Sequence, residues 1–203
     1  FHTDVGDTWM DVSNDKRSRL MLPDEENRAY AVDMLNKFAN GGYEKPNFYM
    51  TIGFTKPHIP WVAPERFFDL YHKEDIVLPI NKEAPKHCPL VGWPNSQSCI
   101  LDQVDDATAA RIDGTFNLTV PNDLAKLYTR GYFACISFMD EMVGDVLKTL
   151  KDLNLDDDTI VLLHGDHGYN LGENSAWGKR TQFEKANHVP MMFYYPGDYN
   201  SSH

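Results

Sequence analysis

The strongest constraint on this chain is a junction, where a long helical period runs into a short aliphatic stretch ending in Gly165-Asp-His-Gly168. Leu124, Leu127, Tyr128, Gly131, Cys135, Phe138, Met142, Val146, Leu150 and Leu153 recur every three to four residues, the spacing of one apolar helix face. Val120-Pro-Asn-Asp opens that helix, which ends near Asn154, and Asp156-Asp-Asp158 makes a polar turn. Thr159-Ile-Val-Leu-Leu163 is then β-branched and aliphatic, as a buried parallel strand is. Helix followed at once by strand is half of a parallel crossover unit, which puts the chain in the α/β class. In open α/β sheets ligands bind beyond the carboxyl ends of the strands. Asp166 and His167 are therefore expected side by side at that rim, with Gly165 and Gly168 giving the backbone an unusual path.

Upstream, residues 1–22 are polar and aperiodic and are expected to form a loop. Pro23 and the acidic residues after it suit a first helical turn, Ala29, Val32, Met34, Leu35 and Phe38 keep helical spacing, and Asn40-Gly-Gly42 stops the helix. Asn47 to Phe54 reads as a second buried strand. It empties into Thr55-Lys-Pro-His-Ile-Pro-Trp61, where two prolines exclude a continued ladder or helix and stiffen the loop holding Lys56 and His58. Pro64 to Tyr71 predicts a short helix with an aromatic core face, and residues 77–117 a long irregular excursion. Met191 to Tyr195 is strand-like, and no repeat or linker divides the chain. Three strands are few for a doubly wound sheet, so the chain is expected to be a fragment or one chain of a processed protein.

A formal charge of −11 excludes a nucleic-acid binder, because nothing would neutralise a phosphate backbone. An anionic ligand would need local Lys and His residues. No apolar stretch reaches membrane-spanning length, and no signal peptide opens the chain. Cys88 and Cys99, with ten residues between them in a Pro/Gly/Ser-rich loop, suit a small disulfide ring, whereas Cys135 on the helix face suits a free core thiol. Sequons at Asn117 and Asn200 join those loop cysteines in pointing to the lysosome or secretion.

Three chemistries fit Asp166-His167. One is a capped turn with an exposed ring. A second, a Ser-His-Asp hydrolase, requires a Gly-x-Ser-x-Gly elbow that the chain lacks. The third is a metal site, where oxygen ligands favour calcium or magnesium and an added histidine admits zinc or manganese.

An ordered set of motifs adds to this reading. It comprises Lys56-Pro-His-Ile-Pro60, Tyr132-Phe-Ala134 with Asp140 and Val143-Gly144, and Asp166-His-Gly168. Leu171-Gly-Glu173 with Trp177 and Lys179 follows, then His188-Val-Pro190 with Phe193-Tyr194 and Pro196-Gly197. Over residues 43–197 the set resembles the type I sulfatases, nearest their iduronate-2-sulfatase-like branch. The resemblance implies an alkaline-phosphatase-like α/β sandwich with a mostly parallel central sheet, incomplete in this chain. Residues 1–203 would be part of a single N-terminal catalytic domain, lacking its upstream nucleophile segment and the C-terminal subdomain.

The resemblance also implies a calcium ion with Asp166 and His167 as two of its ligands. His58 and Lys179 fall on catalytic positions that contact the sulfate and its bridging oxygen, and Lys56 joins them in binding substrate. Sulfate ester cleavage needs charge stabilised on non-bridging oxygens and on a departing alkoxide; a divalent cation with fixed Lys and His donors suits this, and protonated His58 suits a general acid. The implied activity removes sulfate from a sulfated uronic acid of a glycosaminoglycan. The partners would be that sulfated glycan and the remaining part of the same polypeptide. Two alternatives are a phosphoesterase of the same superfamily, which Lys56-Pro-His58 fits poorly, and a non-catalytic sulfatase-like binding or structural protein.

The family nucleophile is a formylglycine made in a Cys-x-Pro-Ser-Arg-like segment, and Cys88-Pro-Leu-Val, Cys99-Ile-Leu-Asp and Cys135-Ile-Ser-Phe all depart from it. In family order that segment and the paired aspartates completing the calcium shell lie upstream of Phe1. Phe1-His2 matches either the tail of a Lys-x-Phe-His motif, whose His approaches the sulfate, or the loop after it. Tyr169 and Asn174 stand where close relatives carry Trp and His, which leaves the sugar open. Purified residues 1–203 alone are predicted to be inactive; measurable turnover of a sulfated substrate by that chain would contradict this.

Overall fold

The computed structural model describes residues 9–12, 21–42, 47–89 and 120–197. Its backbone is helix α1 (Pro23–Ala39), short helix α2 (Glu65–Phe68), long helix α3 (Asn122–Asp152) and short helix α4 (Glu184–Asn187). Strand β1 (Trp9–Val12) runs parallel to β2 (Trp61–Pro64), with Trp9 opposite Trp61. Strand β3 (Val161–His164) is antiparallel to β6 (Met191–Tyr194), and β4 (Asn170–Leu171) is antiparallel to β5 (Trp177–Gly178).

Helix α1 starts as expected at Pro23, and the Leu22 N–H donates to the Glu25 carboxylate at 3.0 Å. The Asn40 N–H donates to the Asn36 carbonyl, and Gly41 then turns left-handed at φ +74°, ending the helix. Helix α3 buries Tyr128, Cys135, Phe138, Met142, Val146 and Leu150, the stripe that its spacing predicts. The amino-terminal half of the stripe packs on Trp61, Phe67, Phe68 and Trp177, and its far end on Ala31 and Leu35 of α1. Helix α3 is thus the common support for everything that carries a candidate site residue. Burial pushes the Cys135 thiol up to about 12, which leaves it protonated, as a core thiol should be.

Four expectations need correction. The first 22 residues are not all loop: Trp9–Val12 pairs with a strand about fifty residues away, a contact with no local period. Asn47 to Phe54 joins no ladder among the described residues. It nevertheless alternates like a strand, with Phe48, Met50, Ile52 and Phe54 packed inward and Tyr49 94% exposed. Trp61–Pro64 extends as a strand directly after the proline loop, because its prolines precede and end the ladder rather than interrupt it. The buried parallel strand expected at Thr159–Leu163 is instead β3, shifted to Val161–His164, antiparallel to β6 and half-exposed at Leu162. Only β6 pairs with β3 among the described residues.

Cys99, Asn117, Asn200 and His2 lie outside the described residues. Among the described residues Cys88 and Cys135 are free thiols.

Phe138 is fully buried between α2 and α3, its ring tilted against Phe67 with centroids 5.5 Å apart. Phe138→Ala is predicted to cost about 3–5 kcal/mol of stability, read from the urea midpoint of the protein carrying this chain. A loss below about 1 kcal/mol would contradict this packing.

Candidate metal and anion site

Two loops hold the candidate site residues, and a cluster of rings seats both on α3. In the first loop, the Thr55 and Lys56 N–H groups donate to Asp24 Oδ1 and Oδ2 at 2.8 and 2.9 Å. The His58 N–H donates to the Thr55 carbonyl at 2.9 Å and closes the turn. Lys56 Nζ folds back and donates to the Pro60 carbonyl at 2.6 Å and the His58 carbonyl at 3.3 Å. Two of the three ammonium donors are thereby used, and one is left for a ligand. Burial lowers the Lys56 pKa below the ordinary lysine range, while Cys135 and Asp24 act in the opposite sense.

His58 is exposed, and its Nδ1 lies 2.6 Å from the Ile59 carbonyl. A carbonyl only accepts, so Nδ1 carries hydrogen and Nε2 is the nitrogen presented outward.

The second loop leaves β3 at His164. The Gly165 N–H donates to the Pro190 carbonyl at 3.1 Å and the Gly168 N–H to the Ala186 carbonyl at 2.8 Å, pinning both ends of the Asp166-His167 pair. Neither glycine is left-handed, which corrects the expected unusual path. Gly168 is needed for space: a Cβ there would meet the Lys185 carbonyl oxygen at 2.0 Å.

Asp166 Oδ1 accepts the His167 N–H at 2.9 Å. The His167 Nδ1 lies 2.9 Å from the Gly168 carbonyl and donates to it, which leaves the Nε2 lone pair free, 3.6 Å from Asp166 Oδ2. The Asp166 side chain is 86% exposed. Slight burial raises its pKa, but the His167 N–H, the His167 ring and Lys179 outweigh it, holding the carboxyl below the usual carboxylate range. Lys179 follows β5 on a bend held by buried Asn170, whose Nδ2 donates to the Gly178 carbonyl at 2.8 Å and to Thr181 Oγ1 at 3.1 Å.

Trp61 joins the loops. Its indole N–H donates to the Pro57 carbonyl at 2.9 Å, and its ring lies 6.0 Å from Tyr132 of α3 and 5.8 Å from Tyr169. Tyr128 of α3 adds Trp177, two residues before Lys179, at 5.8 Å. Asp166, His167 and Lys179 therefore share one side of the site, and Lys56 and His58 sit on the adjoining loop. No hydrogen bond joins His58 to Asp166, His167 or Lys179 among the described residues. Sequence reasoning missed the ring bridge and Asp24. The aromatic bridge had one local signal, namely rings immediately flanking the polar motifs at Trp61, Tyr169 and Trp177.

The Asp166-His167 pair fits half of a cation site. Two donors about 2.3–2.6 Å from one hard cation and near right angles lie roughly 3.3–3.7 Å apart. The pair supplies one carboxylate oxygen and one imidazole lone pair at 3.6 Å, with the ring's other nitrogen held by a carbonyl. No third His, Cys, Asp or Glu completes the set among the described residues.

Comparison with known proteins adds four findings. The sulfatase family model matches residues 4–203. Human iduronate 2-sulfatase is 35% identical over 176 residues, covering 87% of this chain and 31% of that protein. Choline-sulfatase of Rhizobium meliloti is 34% identical over 148 residues, covering 73% of this chain and 26% of that protein. Among solved structures, a phosphonate monoester hydrolase from Silicibacter pomeroyi superposes with a TM-score of 0.58 at 22% identity, covering 86% of this chain and 33% of that one. The last likeness shows the fold, in which the partial sheets and α3 form part of an alkaline-phosphatase-like α/β domain. The chain spans between about a quarter and a third of the length of the curated relatives it matches.

Gly168→Ala would force the backbone of α4 away from the Asp166-His167 loop. A loss of about 1–3 kcal/mol is predicted, measured by urea denaturation. An unchanged midpoint would contradict the close approach.

Proposed function

The chain belongs to the sulfatase family, and from that premise we propose that the full-length protein hydrolyses sulfate esters, this chain supplying half of a calcium site and three groups that receive the ester. The observation that carries this is the convergence of Asp166 Oδ2 and His167 Nε2 at 3.6 Å, with Lys179 close enough to act electrostatically on the carboxylate. A bound calcium ion would supply Lewis-acid stabilisation of charge on the ester's non-bridging oxygens.

The chain's own residues do the rest of the work assigned here. Lys179 places a cation beside the same oxygens, and the remaining Nζ donor of Lys56 adds a hydrogen bond from the adjoining loop. His58, with Nδ1 tied to the Ile59 carbonyl, points its Nε2 outward and in protonated form hands a proton to the departing alkoxide. These fixed donors resolve the conflict between an anionic substrate and a chain of charge −11. The nucleophile, a formylglycine, belongs to a part of the polypeptide outside residues 1–203.

The substrate we propose is a sulfated uronic acid of a glycosaminoglycan. Iduronate 2-sulfatase matches over 176 residues where choline-sulfatase, at similar identity, matches over 148. Tyr169 and Asn174 are the positions we assign to the sugar. Asn174 is left-handed at φ 54°, its N–H donates to the Asn81 carbonyl at 2.7 Å, and Asn81 Nδ2 donates to its Oδ1 at 3.0 Å. That clasp sets the edge of the site against residues 79–82. The sequons at Asn117 and Asn200 support a lysosomal or secreted protein. No described helix is long and apolar enough to cross a membrane.

In the full-length protein, Lys179→Ala and His58→Gln are each predicted to lower kcat on a sulfate ester by about 10²–10³-fold. Chelation with EGTA should abolish turnover, and added calcium should restore it. Wild-type kcat in both variants would contradict the assignment.

A further inference from the structure

We propose that Asp24 is a positioning residue for the sulfate site, its carboxylate holding the Thr55 and Lys56 amides so that His58 presents Nε2 to the ester. This rests on the site reading above and extends it to a residue some thirty positions upstream of the loop.

Asp24 is 2% exposed, and a buried carboxylate is costly unless its charge is met. An aspartate in a first helical turn ordinarily faces solvent or its own helix's free N–H groups. Asp24 does neither. Both of its oxygens reach another segment, to successive amides 31 and 32 residues away, at 2.8 and 2.9 Å. Charge-assisted bonds from two adjacent N–H groups form a small anion nest, in which the carboxylate sets the orientation of both peptide planes.

From those planes the path to His58 is short. The Thr55 carbonyl accepts the His58 N–H at 2.9 Å, and Lys56 Nζ clasps the His58 and Pro60 carbonyls. The His58 backbone is thus held on its N–H and on its carbonyl by the two residues that Asp24 anchors. The anchor is itself fixed, since α1 packs through Ala31 and Leu35 onto Val146 and Leu150 of α3. Asp24 also acts on the Lys56 charge, opposing the effect of burial on that ammonium.

The test is a double-mutant cycle in the full-length protein with Asp24→Asn, His58→Gln and both together, reading kcat, KM and Tm on one sulfate ester. If Asp24 works through His58, Asp24→Asn lowers kcat by roughly 10–100-fold in the wild-type background. In the His58→Gln background the same change alters kcat by less than about twofold. A lowered Tm with kcat unchanged, or equal losses in both backgrounds, would overturn the proposal and leave the site reading intact. Full turnover by His58→Gln alone would remove the site reading and this proposal with it. Should Asp24→Asn fail to fold, hydrogen exchange on the unmodified protein decides instead. The Thr55 and Lys56 amides should be protected like those of the α1 core, and exchange at open-loop rates would overturn the proposal.

Discussion

The burial of Trp61 against α3 is the contact on which the remaining arrangement depends. Its ring is fully buried between Tyr128, Tyr132 and Tyr169, and its N–H holds the Pro57 carbonyl of the loop that carries His58. One side chain therefore joins a strand, a helix and both site loops. Aromatic contacts of this kind add about 0.5–1.5 kcal/mol per pair beyond area burial. Their larger value here is geometric, because they bring loops from residues 55–60 and 165–168 onto one support.

Electrostatics then divides the site by burial. Asp24 is buried and Lys56 half-buried, and each is held by backbone groups of the loop. Asp166, by contrast, is open to solvent and turns one oxygen to the His167 amide and the other outward. A carboxylate held ionised and exposed beside a lone-pair nitrogen is suited to receive a cation, whereas the sheltered pair is suited to hold shape. Both loops take their form from backbone N–H groups donated to fixed acceptors, which is how irregular segments near a ligand stay ordered.

What could be read from the sequence follows the range of each interaction. Helix α3 was legible because ten apolar positions keep a local period, and Asp166-His167 because the motif is contiguous. Their position beyond β3 follows from the strand–glycine transition. The pairing of β1 with β2 and the bond from Asp24 to Thr55 and Lys56 were not legible, since each joins residues more than thirty positions apart with no shared pattern. Gly168 was legible as special, but for a different reason: it yields space to the Lys185 carbonyl and keeps an ordinary φ. Asn47 to Phe54, expected as a buried strand from its apolar run, instead alternates an inward and an outward face and joins no ladder among the described residues.

The most direct measurement is a crystal structure of the full-length protein grown with calcium, with anomalous scattering used to locate the ion. The account places the ion about 2.3–2.6 Å from an Asp166 oxygen and bound to His167 Nε2, within reach of the ester that Lys179 and His58 address. An ordered calcium ion elsewhere in the domain, with Asp166 and His167 uncoordinated, would contradict it.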